Sequence, residues 1–172
     1  MSISEQFGEK RLLIEGVMFN DKIVDKIHVG VICVDILRYG AITPGKSIGP
    51  FEIGCNREAL ISLLGKNYEV ETRANFIVIK TETYWFWIDD TDSVSQIRIF
   101  NGFFGKFGGK IGIGNTLKDV VNNFGKCSYE KYTYFISAIP GICFELKDVE
   151  DYDDEWDEMS APIESIYVFA IS

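Results

Sequence analysis

Apolar and polar residues alternate in six short stretches of this chain after residue 74, the pattern of strands with one covered face. The predicted strands span 75–80, 84–88, 94–100, 132–136, 142–146 and 163–169. The alternation is clearest in VSQIRIF (94–100) and IESIYVF (163–169), which indicates a sheet with a core on one side.

Two other segments have helical spacing. Asn56 and Thr116 are good N-cap residues, and Thr116 with Asp119 has the spacing of a capping box. Gly65 and Gly125 end the two segments as C′ glycines. The apolar positions are Leu60, Ile61 and Leu64 in one segment, and Val120, Val121 and Phe124 in the other. We therefore predict two helices of about eight to ten residues, each with one apolar face on a sheet.

The helical segments belong to an internal repeat. FEIGCNREALISLLGK (51–66) returns as IGIGNTLKDVVNNFGK (111–126), and three predicted strands follow each copy. We predict an α+β fold in which a strand-rich extension (1–43) precedes two helix-plus-antiparallel-meander modules, at 44–101 and 102–172. The modules are expected to form one curved antiparallel sheet.

The stretch GAITPGKS (40–47) matches the phosphate-binding loop G-x-x-x-x-G-K-[ST]. That loop requires a helix directly after its Lys and Ser, and Pro50 would break such a helix. We interpret the stretch as a turn between strands, with 46–54 as one short strand that leads into the first helix. A nucleotide hydrolase remains only a formal alternative.

The overall charge restricts the partners. With a net charge of −9 and a pI near 4.6, the chain does not suit DNA, RNA or an anionic membrane, and an acidic protein suits a basic partner. The N-terminus lacks the features of a secretory signal, and no run is long enough for a membrane helix, so we expect a cytoplasmic protein. The four cysteines are widely spaced without a C-x-x-C pair, which favours reduced thiols over a zinc site.

The segment 148–158 carries eight carboxylates in 11 residues, with Tyr152 and Trp156 among them. Such a segment could enter a basic nuclease cleft as a phosphate mimic, with the aromatics as anchors. It could equally be a solvated loop without a partner. Calcium binding is a weaker alternative, because the central Gly and the ligand order of an EF-hand are missing.

Two aromatic segments offer further contacts. In Tyr84–Ile88, alternation places Trp85 and Trp87 on the face opposite Tyr84, Phe86 and Ile88. We expect one face to be core, and the other to be either covered by a neighbouring element, which the size of the aromatics favours, or an exposed binding stripe. The linker 101–109 contains three phenylalanines; we expect at least one to be buried between the modules and an exposed one to be a binding hot spot.

Catalysis has little support. The single histidine, His28, has no nucleophile motif near it, and no metal-ligand set converges in the sequence. We expect no catalytic residue, no metal and no cofactor.

The repeated unit I-G-x-G/T followed by a short helix, a glycine and a meander resembles the tandem modules of β-lactamase inhibitory proteins and of the related small outer-membrane lipoprotein fold. PGKSIGPFEIG and NGFFGKFGGKIGIG are similar to immunity proteins encoded beside polymorphic or contact-dependent toxins. The resemblance covers residues 44–172 and implies an inhibitor that blocks a cognate toxin, plausibly a nuclease. A small-ligand or structural binding module, with the aromatic strand 84–88 lining a pocket, is the alternative. The predicted partner-binding residues are Phe103, Phe104, Asp148, Glu150, Asp151, Tyr152, Asp153, Asp154, Glu155, Trp156, Asp157 and Glu158.

Overall fold

Short strands dominate the architecture. The computed structural model describes residues 36–148 and 156–171, so His28, Cys33 and nearly all of the predicted extension lie outside the described residues. The elements in chain order are a 3-10 helix (Ile36–Arg38), β1 (Ala41–Thr43), β2 (Ser47–Ile48), β3 (Phe51–Glu52), α1 (Arg57–Leu64), β4 (Glu69–Arg73), β5 (Phe76–Lys80), β6 (Tyr84–Ile88), β7 (Val94–Ile99), β8 (Lys106–Phe107), α2 (Leu117–Phe124), β9 (Cys127–Glu130), β10 (Thr133–Ile136), β11 (Ile142–Leu146) and β12 (Ile163–Phe169).

The larger sheet has eight strands in the order β4-β5-β6-β7-β12-β11-β10-β9. All of its neighbouring strands are antiparallel. The first meander (β4–β7) and the second meander (β9–β12) meet where β7 pairs with β12, and β4 and β9 form the two outer edges. The predicted α+β class is confirmed.

All six predicted strands are present, but each meander has four strands rather than the predicted three. The sequence analysis missed β4 and β9, the first strand after each helix. Both have almost entirely exposed or half-exposed residues, because an edge strand away from the core buries few side chains. Their sequences, EVETR and CSYE, therefore lack the apolar alternation on which the prediction relied.

The two helices begin and end at the predicted residues. The side chain of Asn56 accepts a hydrogen bond from the backbone N–H of Ala59 at 2.8 Å. Thr116 and Asp119 form a reciprocal capping box, in which the Asp119 carboxylate accepts the backbone N–H of Thr116 at 2.9 Å. Gly65 and Gly125 end the helices with positive φ, as C′ glycines commonly do.

The GAITPGKS stretch is a hairpin. Strands β1 and β2 pair in antiparallel fashion, and Gly45, at φ 69°, lies in the turn between them. The predicted single strand at 46–54 was wrong: a turn at Gly49-Pro50 divides it into β2 and β3. A smaller sheet results, in the order β3-β2-β1-β8, with β8 parallel to β1.

The core lies on one face of the eight-stranded sheet. Ile79, Phe86, Ile97 and Ile166 are fully buried there, in one hydrophobic cluster that spans both meanders. The cluster also includes buried residues of the helices and of the small sheet, namely Leu60, Leu64, Leu117, Val120, Ile42, Ile48, Phe51 and Phe107. The opposite face of the sheet, which carries Trp85 and Trp87, is chemically different and is described below.

Candidate functional site

The acidic segment connects β11 to β12. Its central residues Glu150, Asp151, Tyr152, Asp153, Asp154 and Glu155 lie outside the described residues. Asp148 is exposed with a positive φ of 59°. The backbone N–H of Lys147 donates to the carbonyl of Pro162 at 2.9 Å, so the two ends of the segment are held together at the sheet.

Three predicted contact residues have structural roles at this base. Trp156 is half-buried against the core, and its indole N–H donates to the carbonyl of Lys147 at 3.0 Å. The carboxylate of Asp157 accepts the backbone N–H of Met159 at 3.1 Å, and hydrogen bonds from Ser160 and Met159 lower the pKa of that carboxyl. Glu158 accepts a hydrogen bond from the hydroxyl of Tyr134 at 3.1 Å. Trp156, Asp157 and Glu158 therefore all take part in fixing the base of the segment.

The structure separates the two linker phenylalanines. Phe103 is 3% exposed and packs edge-on against Tyr84 at 5.7 Å between ring centres, so it is core rather than a surface contact. Phe104 is 57% exposed, and its ring lies 5.3 Å from that of Tyr39. Phe104 is thus the linker side chain that a partner can reach.

The strand Tyr84–Ile88 divides its aromatics as alternation requires. Tyr84 and Phe86 are buried on the core face, and desolvation raises the pKa of the Tyr84 phenol. Trp85 and Trp87 are half-buried on the opposite face, with their rings 6.2 Å apart. The strand therefore contributes one face to the core, while its other face, with Trp85 and Trp87, is partly accessible to a partner.

Trp85 belongs to a row that crosses four strands, which we call the Arg98 ladder: Lys80, Trp85, Arg98 and Tyr167. Register places Lys80 beside Trp85, Trp85 beside Arg98, and Arg98 beside Tyr167. The ammonium of Lys80 lies 4.2 Å from the Trp85 ring centre, and the Arg98 guanidinium lies 5.0 Å from that ring and 5.2 Å from the Tyr167 ring. These are cation–π distances.

Carboxylates of the same sheet neutralise the two cations of the ladder. Arg98 donates to the Glu145 carboxylate at 2.8 Å and to the buried hydroxyl of Ser165 at 2.7 Å. Glu145 also accepts the hydroxyl of Tyr167 at 2.7 Å, and burial raises the pKa of that phenol. At the outer end, the carboxylate of Glu71 accepts hydrogen bonds from Arg73 and Lys80, which lower the pKa of that carboxyl to about 2.

The sequence analysis missed Arg98, Glu145, Ser165 and Tyr167 as a group. Their alternation with buried apolar neighbours was visible, and it would have placed each on the face opposite the core. What joins them is the pairing of β7 with β12 and of β12 with β11, across up to 67 residues of sequence. No local pattern specifies that register.

The described residues contain no group of three or more His, Cys, Asp or Glu that could hold a metal ion. Cys55, Cys127 and Cys143 are free thiols. Burial, together with the nearby Glu145, raises the pKa of Cys143 to about 12, so it is a poor nucleophile at neutral pH. In the same part of the chain, no helix is long and apolar enough to cross a membrane.

Comparison with known proteins identifies no relative in sequence. No family model and no curated protein matches the chain. Among solved structures, an extracellular protein containing an SCP domain, from Bacillus anthracis, is similar at 13% identity with a TM-score of 0.40. The match covers 90% of this chain, which spans about half (50%) of the length of that protein.

Proposed function

We propose that this protein is a non-enzymatic inhibitor, an immunity protein that binds a cognate toxin in the cytoplasm of the producing cell and blocks its active site. The observation that carries the proposal is a concentration of negative charge on a segment whose two ends are fixed to the sheet. The partner that this charge suits is a basic protein, and a nuclease, whose cleft binds phosphates, meets that requirement.

The charge is localised rather than spread over the chain. Residues 149–155 contain five carboxylates and no basic residue, so they account for more than half of the net charge of −9. Asp148 and Glu158 extend the same run at the base. A localised field of this kind steers a basic partner into contact and raises its association rate, an effect that salt screens.

Hydrogen bonds fix both ends of the acidic segment to the rest of the fold. The Lys147–Pro162 and Trp156–Lys147 hydrogen bonds close the segment where it leaves the sheet. The carbonyl of Met159 also accepts the backbone N–H of Lys118 at 3.1 Å, which attaches the base to the first turn of α2. The residues at both ends of the segment therefore have a defined position relative to the second meander.

We also infer that the two helix-plus-meander units are copies of one module. Each has a side-chain-capped helix of eight residues followed by a four-stranded meander, and each contributes its last strand to the centre of the sheet. The curvature of the sheet stays a prediction. This duplication is what the resemblance to tandem-module inhibitors implies.

The test is capture of partners from the native host with three tagged baits. One is the natural chain. The second carries Asp151→Asn, Asp153→Asn and Asp154→Asn, which remove charge but spare the structural Asp157. The third carries Glu52→Gln, Glu69→Gln and Glu164→Gln, three exposed carboxylates elsewhere, and so has the same net charge as the second.

We expect the natural and the third bait to retain one basic protein that the second bait loses at moderate salt. That protein should stop growth when expressed alone and not when expressed with the natural chain. Equal capture by all three baits would remove the acidic segment from the proposal. A captured protein without toxicity would contradict the immunity function itself.

The Arg98 ladder favours a second candidate, a binding module that uses the face of Trp85 and Trp87. Trp, Tyr and Arg are the residue types that dominate binding hot spots. In that case the variant Trp87→Ala should lose the captured partner, whereas the second bait should keep it. The same capture experiment therefore separates the two candidates.

A further inference from the structure

A groove lies between helix α1 and the edge strand β4, at the opposite end of the large sheet from β9. It has a volume of about 410 Å³ and is lined by Arg57, Glu58, Ile61, Val70, Ile79 and Asp92. The ion pair of Arg57 with Asp92, at 3.0 Å, lies in its wall. Val70 is 55% exposed, which is unusual for an apolar strand residue beside a helix.

The outer edge of this groove offers backbone hydrogen-bonding groups. Residues 69–73 pair with β5 along one side, and they make no other backbone hydrogen bond within the part of the chain that the structure describes. An edge strand with its second side open can accept a further strand. Pairing of this kind, with a pocket for a side chain, is a common mode of peptide recognition.

At the other edge of the sheet, between α2 and β9, larger side chains occupy the corresponding positions. Tyr129 pairs with Tyr134 in β9 and β10, as Val70 pairs with Ile79 in β4 and β5. The Tyr129 ring lies 5.0 Å from the Tyr134 ring. On the helices, the buried Leu117 takes the position of the half-exposed Arg57. The first meander thus has small or charged residues where the second has large apolar ones, and space for an aromatic ring remains.

The charges beside the groove indicate which charged side chain a bound segment should carry. Arg57 and Asp92 neutralise each other, whereas Glu58 is exposed and has no ion-pair partner among the described residues. A cation is therefore favoured beside the aromatic ring. Because residues two apart in a strand share a face, that cation belongs two positions from the aromatic residue.

We propose that this groove binds an extended segment of a partner protein, which pairs with β4, inserts an aromatic side chain over Val70 and Ile79, and sets a Lys or Arg against Glu58. The site is independent of the proposed immunity function, since it uses neither the acidic segment nor the Arg98 ladder.

The test uses a seven-residue probe peptide with a central phenylalanine, a valine on each side of it, lysines two positions away and threonine ends. Its affinity for the full chain is measured by fluorescence anisotropy, and the contacted residues are located by NMR titration. One control peptide replaces the phenylalanine with alanine. Another carries N-methyl groups on alternate residues, which block strand pairing.

We expect both control peptides to bind at least about ten-fold more weakly than the probe. Val70→Tyr, which fills the groove with the ring that the second meander has, should weaken the probe to the same extent. Glu69→Tyr places the same ring on the other face of β4 and should leave the affinity unchanged. Both positions are exposed, so we expect both variants to fold, and circular dichroism checks this.

Three results would overturn the proposal. One is absence of probe binding up to about 1 mM, the range of very weak complexes. Another is equal binding of the N-methylated peptide, which would exclude strand pairing. The third is self-association of the chain that Val70→Tyr abolishes in sedimentation velocity, which would assign the groove to a second copy.

Discussion

At the scale of single residues, Arg98 supplies hydrogen bonds to the polar groups on the face of the sheet opposite the core. Its guanidinium lies between the rings of Trp85 and Tyr167 and donates to Glu145 and Ser165. The side chains of Arg98 and Glu145 are only 20% and 23% exposed, so solvent cannot fully replace the lost partners. Removing the cation leaves a half-buried carboxylate without compensation, and this lowers stability by more than the intact pair contributes to it.

We predict that Arg98→Met lowers the free energy of unfolding by about 2 kcal/mol, because hydrogen bonds to charged groups are lost and Ser165 is left without a partner. Arg98→Lys keeps the charge near Glu145 but not the forked donor, so its effect should be about half as large. Urea unfolding at pH 7 measures both. A change below about 0.5 kcal/mol in Arg98→Met would show that the ladder contributes no stability.

At the scale of elements, the two helices are each too short to be stable alone and depend on their caps and on the sheet. Thr116 and Asp119 satisfy two N-terminal backbone donors of α2, whereas Asn56 satisfies one in α1. We predict that Thr116→Ala lowers the free energy of unfolding by about 1 kcal/mol and that Thr116→Ser is close to neutral. Thermal unfolding monitored by circular dichroism distinguishes them, and equal losses would contradict a capping role.

The same scale shows what the sequence could predict. The helices, their caps and six strands follow from local spacing, since alternation and N-cap chemistry act within a few residues. Strands β4 and β9 escaped because edge strands bury little, and the parallel pairing of β1 with β8 joins residues too distant for a local signal.

The candidate site, too, could be predicted only in part from the sequence. Composition identified the acidic residues of 148–158 as a group. It could not assign Trp156 and Glu158 to the base, because their partners Lys147 and Tyr134 are nine and 24 residues away. Nor could it decide between Phe103 and Phe104, because adjacent residues of a loop can point in opposite directions, and only tertiary packing selects which one is buried.

At the scale of the whole molecule, one hydrophobic cluster crosses the β7–β12 pairing and includes residues of both meanders. Ile99 and Ile166 lie opposite each other there and are both fully buried. The hydrogen bonds of Arg98 with Glu145 and Ser165 join the two meanders on the other face. Separating the meanders would expose both sets, so each half should be unstable without the other.

We therefore predict that the two meanders unfold in one transition. In a Trp156→Phe variant, tryptophan fluorescence reports on Trp85 and Trp87 in the first meander alone. Pulse alkylation of Cys143, resolved by mass spectrometry, reports on the second, because the native thiol is only 6% exposed. The two denaturation midpoints should coincide, as two-state unfolding requires. Alkylation of Cys143 at clearly lower denaturant would show instead that the β7–β12 pairing opens first, and that the two meanders are separate folding units joined only along one pair of strands.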